Sequence, residues 1–252
     1  MVDWNSLDQN TWKAIGSQLM AFARGVTVPI FWGLLHPEAQ VCVCHNAAAF
    51  VLDCGGGPFG VTAAHVVEQY SKDRAADPKV TAQLGQHRYD LDRQLISVSA
   101  EADLATFRLG PTDVAALGVT VLQPLGSGWP PAPPATGERA FFLGFPGVER
   151  RGFDGQRLGF PTYFASALVA SVGPRRIFLT LGEGETVNLM AGEPPPDDYD
   201  LGGVSGAPLI SISAPNGVDT WRLVGVVVET STSLQIVSAA RVDTIHADGT
   251  LV

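Results

Sequence analysis

Apolar residues recur at helical spacing near the start of the chain, at Trp12, Ile15, Leu19 and Phe22, and the run stops at Gly25. Ser6-Leu7-Asp8-Gln9 precedes it as a capping box, with Ser6 as N-cap and Gln9 reaching back, so residues 1–25 are expected to hold one amphipathic helix. Such a helix packs on the outside of a main fold; docking a partner is the sharper alternative. From Gln40 the period changes to short apolar runs bounded by turn residues: Gln40 to Cys44, Ala48 to Asp53, Phe59 to Thr62, Lys79 to Leu84, Gln94 to Ser99 and Leu104 to Leu109. These predict six strands in the first half, interrupted by a short helical turn from Ala63 to Lys72 that carries His65 near its start. A second set follows: Ala140 to Phe145, Thr162 to Val172, Arg175 to Leu181, Pro208 to Ser213, Trp221 to Glu229 and Leu234 to Ala239. From Arg241 the chain reads as a short helix or tail.

Between the two sets lies a segment rich in proline, which cannot donate to a β-ladder and favours extended conformations. Residues 126–137 are therefore read as a linker, with one β unit over 26–125 and another over 138–252. No internal repeat is evident. The early apolar stretch from Val26 to Leu35 is broken by Pro29 and Gly33 and is too short to span a bilayer.

Composition supports an all-β reading. The 28 glycines and 18 prolines suit many short strands joined by turns, and 46% hydrophobic residues supply a core. A net charge of -9 argues against a general affinity for nucleic acid or anionic membranes, both of which need a basic face. Three cysteines cannot all pair within the chain, which favours a reducing compartment. The first residues are acidic where a signal peptide needs a basic stretch and an apolar run, so a cytoplasmic location is expected.

The candidate chemistry lies in three places. Leu201-Gly202-Gly203-Val204-Ser205-Gly206-Ala207-Pro208 sets a serine among glycines, whose missing side chains permit unusual dihedrals and close approach of a substrate to the main chain. Val61-Thr62-Ala63-Ala64-His65-Val66 puts a histidine just after a strand, and Asp103 heads the apolar run Leu104-Ala105-Thr106-Phe107. A serine nucleophile needs a base within hydrogen-bond reach, a carboxylate to fix the tautomer of that base, and N–H donors for the oxyanion. Asp90 and Asp92 are rivals to Asp103, but neither leads such a strand. His36, His45, His87 and His246 have no comparable context.

The ordered triple His65, Asp103, Ser205 resembles the trypsin-like (chymotrypsin-fold) serine peptidases, over roughly Gln40 to Ala240. Thr62-Ala63-Ala64-His65 is similar to the family's histidine signature, Asp103-Leu104-Ala105 to its acid, and the glycine turn to its Gly-Asp-Ser-Gly-Gly-Pro motif. The resemblance implies two antiparallel six-stranded β-barrels with the site in the cleft between them. His65 would then be general acid/base, Asp103 its orienter and Ser205 the nucleophile, with the Gly203 and Ser205 N–H groups forming the oxyanion hole. Leu143-Gly144-Phe145-Pro146-Gly147 resembles the strand end that opens the second barrel, and the strand through Val227, Val228 and Glu229 the one that pairs with substrate backbone. The base of the primary pocket would fall at Tyr199, between Asp198 and Asp200, although a solvated acidic loop is the plainer reading of those acids.

Two departures stand out. Val204 occupies the place of the acid that pairs with a newly cleaved N-terminus, so that activation switch has no partner here, and Val66 leaves the histidine without its flanking disulfide. Both resemble bacterial and intracellular branches of the family. The implied activity is hydrolysis of peptide bonds with no cofactor or metal and a polypeptide substrate, and restraint by a regulatory protein partner is one hypothesis for its control. Two rivals keep the same residues: a catalytically silent peptide-binding module, and a small-ester hydrolase. Cys42, Cys44, His45 and Cys54 admit a zinc reading, but the single-residue cysteine spacing favours buried thiols.

Overall fold

The computed structural model describes residues 8–36, 41–124, 128–153, 157–181, 199–213, 220–231 and 234–252. The first half runs α1 (Gln9–Val26), β1 (Thr27–His36), β2 (Val41–Leu52), β3 (Phe59–Thr62), α2 (Ala64–Ala76), β4 (Ala82–Leu84), β5 (His87–Tyr89), α3 (Leu91–Gln94), β6 (Leu95–Ser99), β7 (Leu104–Arg108) and α4 (Pro111–Leu117). The second runs β8 (Arg139–Gly144), β9 (Arg151–Phe153), β10 (Arg157–Gly159), β11 (Tyr163–Val172), β12 (Arg176–Thr180), β13 (Pro208–Ser213), β14 (Thr220–Ser231) and β15 (Ile236–Arg241).

Asp8 begins the N-terminal helix. Its carboxylate accepts from Asn10 N at 2.9 Å and Thr11 N at 3.1 Å, satisfying two N–H groups that the first turn leaves open. Ser6, the expected cap, lies outside the described residues. The helix also passes through Gly25 to Val26, where Thr27 turns directly into β1. One face of α1 is apolar: Ala23 and Val26 are buried, and the Phe22 ring packs against Phe141 and Trp221. The helix that feeds the first sheet therefore rests on the second unit.

In the first unit seven strands form one antiparallel sheet in the order β5-β4-β1-β2-β3-β7-β6, curled as a half-barrel. β1 has no counterpart in the pattern of alternating runs, because Pro29 and Gly33 interrupt it. The structure tolerates Pro29 because its carbonyl accepts from Gly85 N at 2.8 Å. Its nitrogen, which has no proton, thus faces the side where short β4 gives out. The two expected runs from Gln40 to Cys44 and from Ala48 to Asp53 are one continuous strand, β2. It pairs with β1 along ten residues. α3, N-capped by Asp90, joins β5 to β6 at the two open edges.

β11-β12-β15-β14-β13-β8 close into a six-stranded antiparallel barrel whose wall carries Phe141 and Phe164 on one face and Phe142 on the other, all fully buried, each ring contributing roughly 1.5–3 kcal/mol. β9 and β10 form a hairpin beside it. Residues 128–137 contain no strand, and Trp129 Nε1 donates to Ile245 O at 2.6 Å. The C-terminal residues cross to the first sheet, where Thr106 Oγ1 donates to Gly249 O at 2.5 Å and Leu251 N donates to Ser97 Oγ at 3.3 Å. Each unit is thus strapped by a terminal segment joined to the other. Closed barrel plus curled half-barrel is an architecture consistent with the chymotrypsin-like fold. Among the described residues no helix is long and apolar enough to cross a membrane.

Candidate active site

β3 ends in fully buried Thr62, and small Ala63 and Ala64 let the chain turn at once into α2. Ala63 offers that helix no side-chain cap. Asp103 supplies it from a distance: its Oδ1 accepts the His65 backbone N–H at 3.0 Å. The same carboxylate holds the imidazole, with His65 Nδ1 2.9 Å from Oδ2 and 3.1 Å from Oδ1. A carboxylate only accepts, so Nδ1 carries a proton, and in the neutral ring this tautomer leaves the lone pair on Nε2. Asp103 sits in the turn before β7 at φ +55°, a left-handed conformation that aspartate tolerates better than most residues. Its side chain is 21% exposed against 48% for His65, so the acid is sheltered and the base is open.

The rival acids are engaged elsewhere. Asp90 pairs with Arg74, which holds its carboxyl below the ordinary value, and Asp92 accepts the Ser71 hydroxyl. His87 pairs with Asp113. His45 stacks on Trp32 and lies 3.5 Å from buried Asp73, on the opposite face of β2 from Cys44. The Cys42 side chain lies outside the described residues, and among those described no three His, Cys, Asp or Glu side chains gather as metal ligands. Burial pushes the Cys54 thiol up to about 12.

The serine turn is built by contacts with both units. Ala48 N on β2 donates to Ser205 O at 2.8 Å, and Gly206 N donates to Val227 O on β14 at 2.7 Å. Gly206 has φ +88°, and a Cβ there would lie 2.0 Å from Ala48 O and 2.4 Å from Thr62 Oγ1. The end of β3, three residues before His65, is therefore in direct contact with the residue after Ser205. Val204 is fully buried, and a Cβ on Gly144 would meet its Cα at 2.6 Å. Core packing holds the position where the resembling family has its paired acid. Gly203, at φ +108°, completes the turn. Among the described residues neither the Gly203 nor the Ser205 N–H has an acceptor.

Ser205 Oγ donates to Val228 O at 3.4 Å, and no hydrogen bond joins it to His65. The structure thus pairs His65 with Asp103, seats Ser205 at the same junction, and leaves the hydroxyl turned toward β14. Such links are often loose without substrate, and a serine hydroxyl changes partner by one χ1 step between staggered wells.

The expected substrate contacts fall differently. Tyr199 stacks on Tyr163 with centroids 5.8 Å apart and donates its hydroxyl to Glu149 Oε1 at 3.0 Å, and burial raises its phenol. Asp200 Oδ1 accepts Gly202 N at 2.7 Å, and Asp198 is outside the described residues. Val227 has both backbone groups spent, on Ala207 O and Gly206 N. Val228 falls at a β-bulge, where the register with β15 shifts between Val227 and Glu229, and the Glu229 side chain is exposed. Bulges recur beside active sites because they re-aim the strand. A cavity of about 790 Å³ is lined by Arg24, Phe31, Gln83, Phe145 and Phe160 among others, and none of His65, Asp103 and Ser205 borders it.

No motif in the sequence singles out Asn46, Arg150 or Asp73. Asn46 had one visible cue, a polar residue inside the alanine and valine run of β2. No protein-family model matches the chain, and a search of curated proteins finds no match either.

Proposed function

We propose that this chain is a serine endopeptidase of the chymotrypsin-like architecture. The observation that carries the reading is the Asp103 clamp on His65 Nδ1 at 2.9 Å, beside a glycine turn whose Gly203 and Ser205 N–H groups are unspent among the described residues. In this reading the Ser205 hydroxyl leaves Val228 O, passes its proton to His65 Nε2 and attacks the substrate carbonyl. Asp103 stabilises the imidazolium, and the two N–H groups receive the oxyanion. His65 then protonates the leaving amine, and water hydrolyses the acyl-enzyme by the same route. An extended polypeptide laid along the bulged β14 near Glu229 is the substrate this site suits, and the reaction consumes only peptide and water.

The hydroxyl's contact with Val228 favours one rival, a silent peptide-docking module. Casein and a peptide library, assayed beside short-chain esters, separate the readings. Peptide hydrolysis lost in Ser205→Ala supports the proposal. Ester hydrolysis alone would move the assignment to a small-ester hydrolase, and binding without turnover to the docking module.

A further inference from the structure

We propose that Asn46 and Arg150 are positioning residues that aim the Gly203 N–H, an inference that rests on the serine-peptidase reading and adds machinery to it. Peptide geometry comes first. The Gly202 carbonyl and the Gly203 N–H belong to one planar trans peptide and point in opposite directions. Gly147 N donates to Gly202 O at 2.7 Å, so the loop after β8 fixes that plane and turns the Gly203 N–H to the other side. Phe145 N adds a second strut, donating to Gly203 O at 3.3 Å.

The loop is in turn held from the first unit. Asn46 Nδ2 on β2 donates to Phe145 O at 2.5 Å. Arg150 Nη1 donates to Asn46 Oδ1 at 2.9 Å and to Cys44 O at 2.6 Å. A guanidinium only donates, so the amide atom it touches is the oxygen, and the Asn46 NH2 is left for Phe145 O. Contact at the turn is close: a Cβ on Gly203 would lie 2.3 Å from Phe145 O and 2.5 Å from Asn46 Nδ2. The chain Arg150, Asn46, Phe145, Gly202–Gly203 therefore leaves the second unit at Arg150, passes through Asn46 on the first and returns to the proposed oxyanion donor. Such donors work when preorganised, because a misaimed N–H loses the bond it makes only in the transition state.

The test uses the full chain. Asn46→Asp keeps the shape and the acceptor for Arg150 but removes the donor to Phe145 O. It should lower kcat about tenfold or more with KM within about twofold, and leave Tm within about 3 °C of the parent, as expected for an interaction realised in the transition state. Arg150→Lys, which keeps a single donating nitrogen, should lower kcat less, and in the double variant the two effects should not add, because Arg150 acts through Asn46. Unchanged kcat in Asn46→Asp, or losses that only track Tm, would overturn the inference. A second readout is independent of turnover: amide hydrogen exchange at Gly147, whose N–H is the strut on Gly202 O, should be about tenfold faster in Asn46→Asp, and an equal rate overturns the aiming role. A parent chain without Ser205-dependent turnover counts against the peptidase reading, while the exchange rate still decides whether Asn46 holds the turn.

Discussion

Gly206→Ala tests how the two units are locked together at the serine. The new methyl would stand 2.0 Å from Ala48 O and 2.4 Å from Thr62 Oγ1, and both lie in the interior of the first sheet. A left-handed φ costs a residue with a Cβ roughly 1–2 kcal/mol, and forcing the neighbours apart costs roughly 1–3 kcal/mol. The displacement also strains the Thr62 Oγ1 to Ala48 O bond of 2.8 Å, worth about 0.5–1.5 kcal/mol. The total is about 2.5–6.5 kcal/mol, a large share of the ordinary roughly 5–15 kcal/mol of a folded protein. Gly57→Ala is the matched control, because Gly57 has φ +99° with nothing within 4 Å of a new Cβ, so only the backbone cost of about 1–2 kcal/mol applies. Urea titration followed by tryptophan fluorescence gives both values. A Gly206→Ala midpoint equal to that of Gly57→Ala would show that the turn does not press on β2 and β3, and the description of the site as a two-unit junction would be wrong.

Three other substitutions and one labelling experiment probe separate parts of the account. Asp103→Asn keeps an oxygen for the His65 N–H but supports the wrong tautomer, so peptide turnover should fall about 10⁴-fold with stability nearly unchanged. Asp103→Ala should also lower stability by about 1–3 kcal/mol, since the α2 cap and the tolerance of φ +55° both go; equal stabilities in urea would contradict the capping role. Asp73→Ala removes a buried carboxylate that accepts from Trp32 Nε1 and Gln69 Nε2, both at 2.8 Å, and should cost about 2–4 kcal/mol, or about 10 °C in Tm by calorimetry. A shift under 2 °C would show that this network does not anchor α2 to β1. With its thiol pushed up to about 12 by burial, Cys54 holds almost no thiolate at pH 8, so iodoacetamide should label it far more slowly in the native chain than in urea. Mass spectrometry finding equal rates would contradict its burial.

Strands were most legible where turn residues bound an apolar run. β8, β11, β12 and β13 lie within a residue or two of the expected runs, although only β12 alternates and β8 is buried along its whole length. β1 escaped because Pro29 and Gly33 break its pattern, and the fact that rescues it, a ladder partner that ends at Gly85, is tertiary. The helix is capped by Asp8, whose carboxylate accepts from two N–H groups of the first turn, and the expected cap Ser6 lies outside the described residues. β5, α3 and the β9–β10 hairpin span three or four residues per element, too few to show a period. In the site, the pairing of His65 with Asp103 was legible from small residues and strand heads. The clamp through Asn46 and Arg150 was not, since its partners are 99 and 104 residues away in sequence and mostly backbone. Tyr199 is placed by a resemblance that counts back from Ser205, while its contacts with Glu149 and Tyr163, on other segments, were not legible in the sequence.

The central claim is that Ser205 is a nucleophile activated by His65, and covalent labelling asks this most directly. The full-length protein is incubated with a fluorophosphonate probe, digested, and the modified residue located by mass spectrometry, beside Ser205→Ala and His65→Ala. The account predicts labelling on Ser205, absent in Ser205→Ala and strongly slowed in His65→Ala. Label on another serine, or none on the folded parent under conditions where it binds peptide, would contradict it.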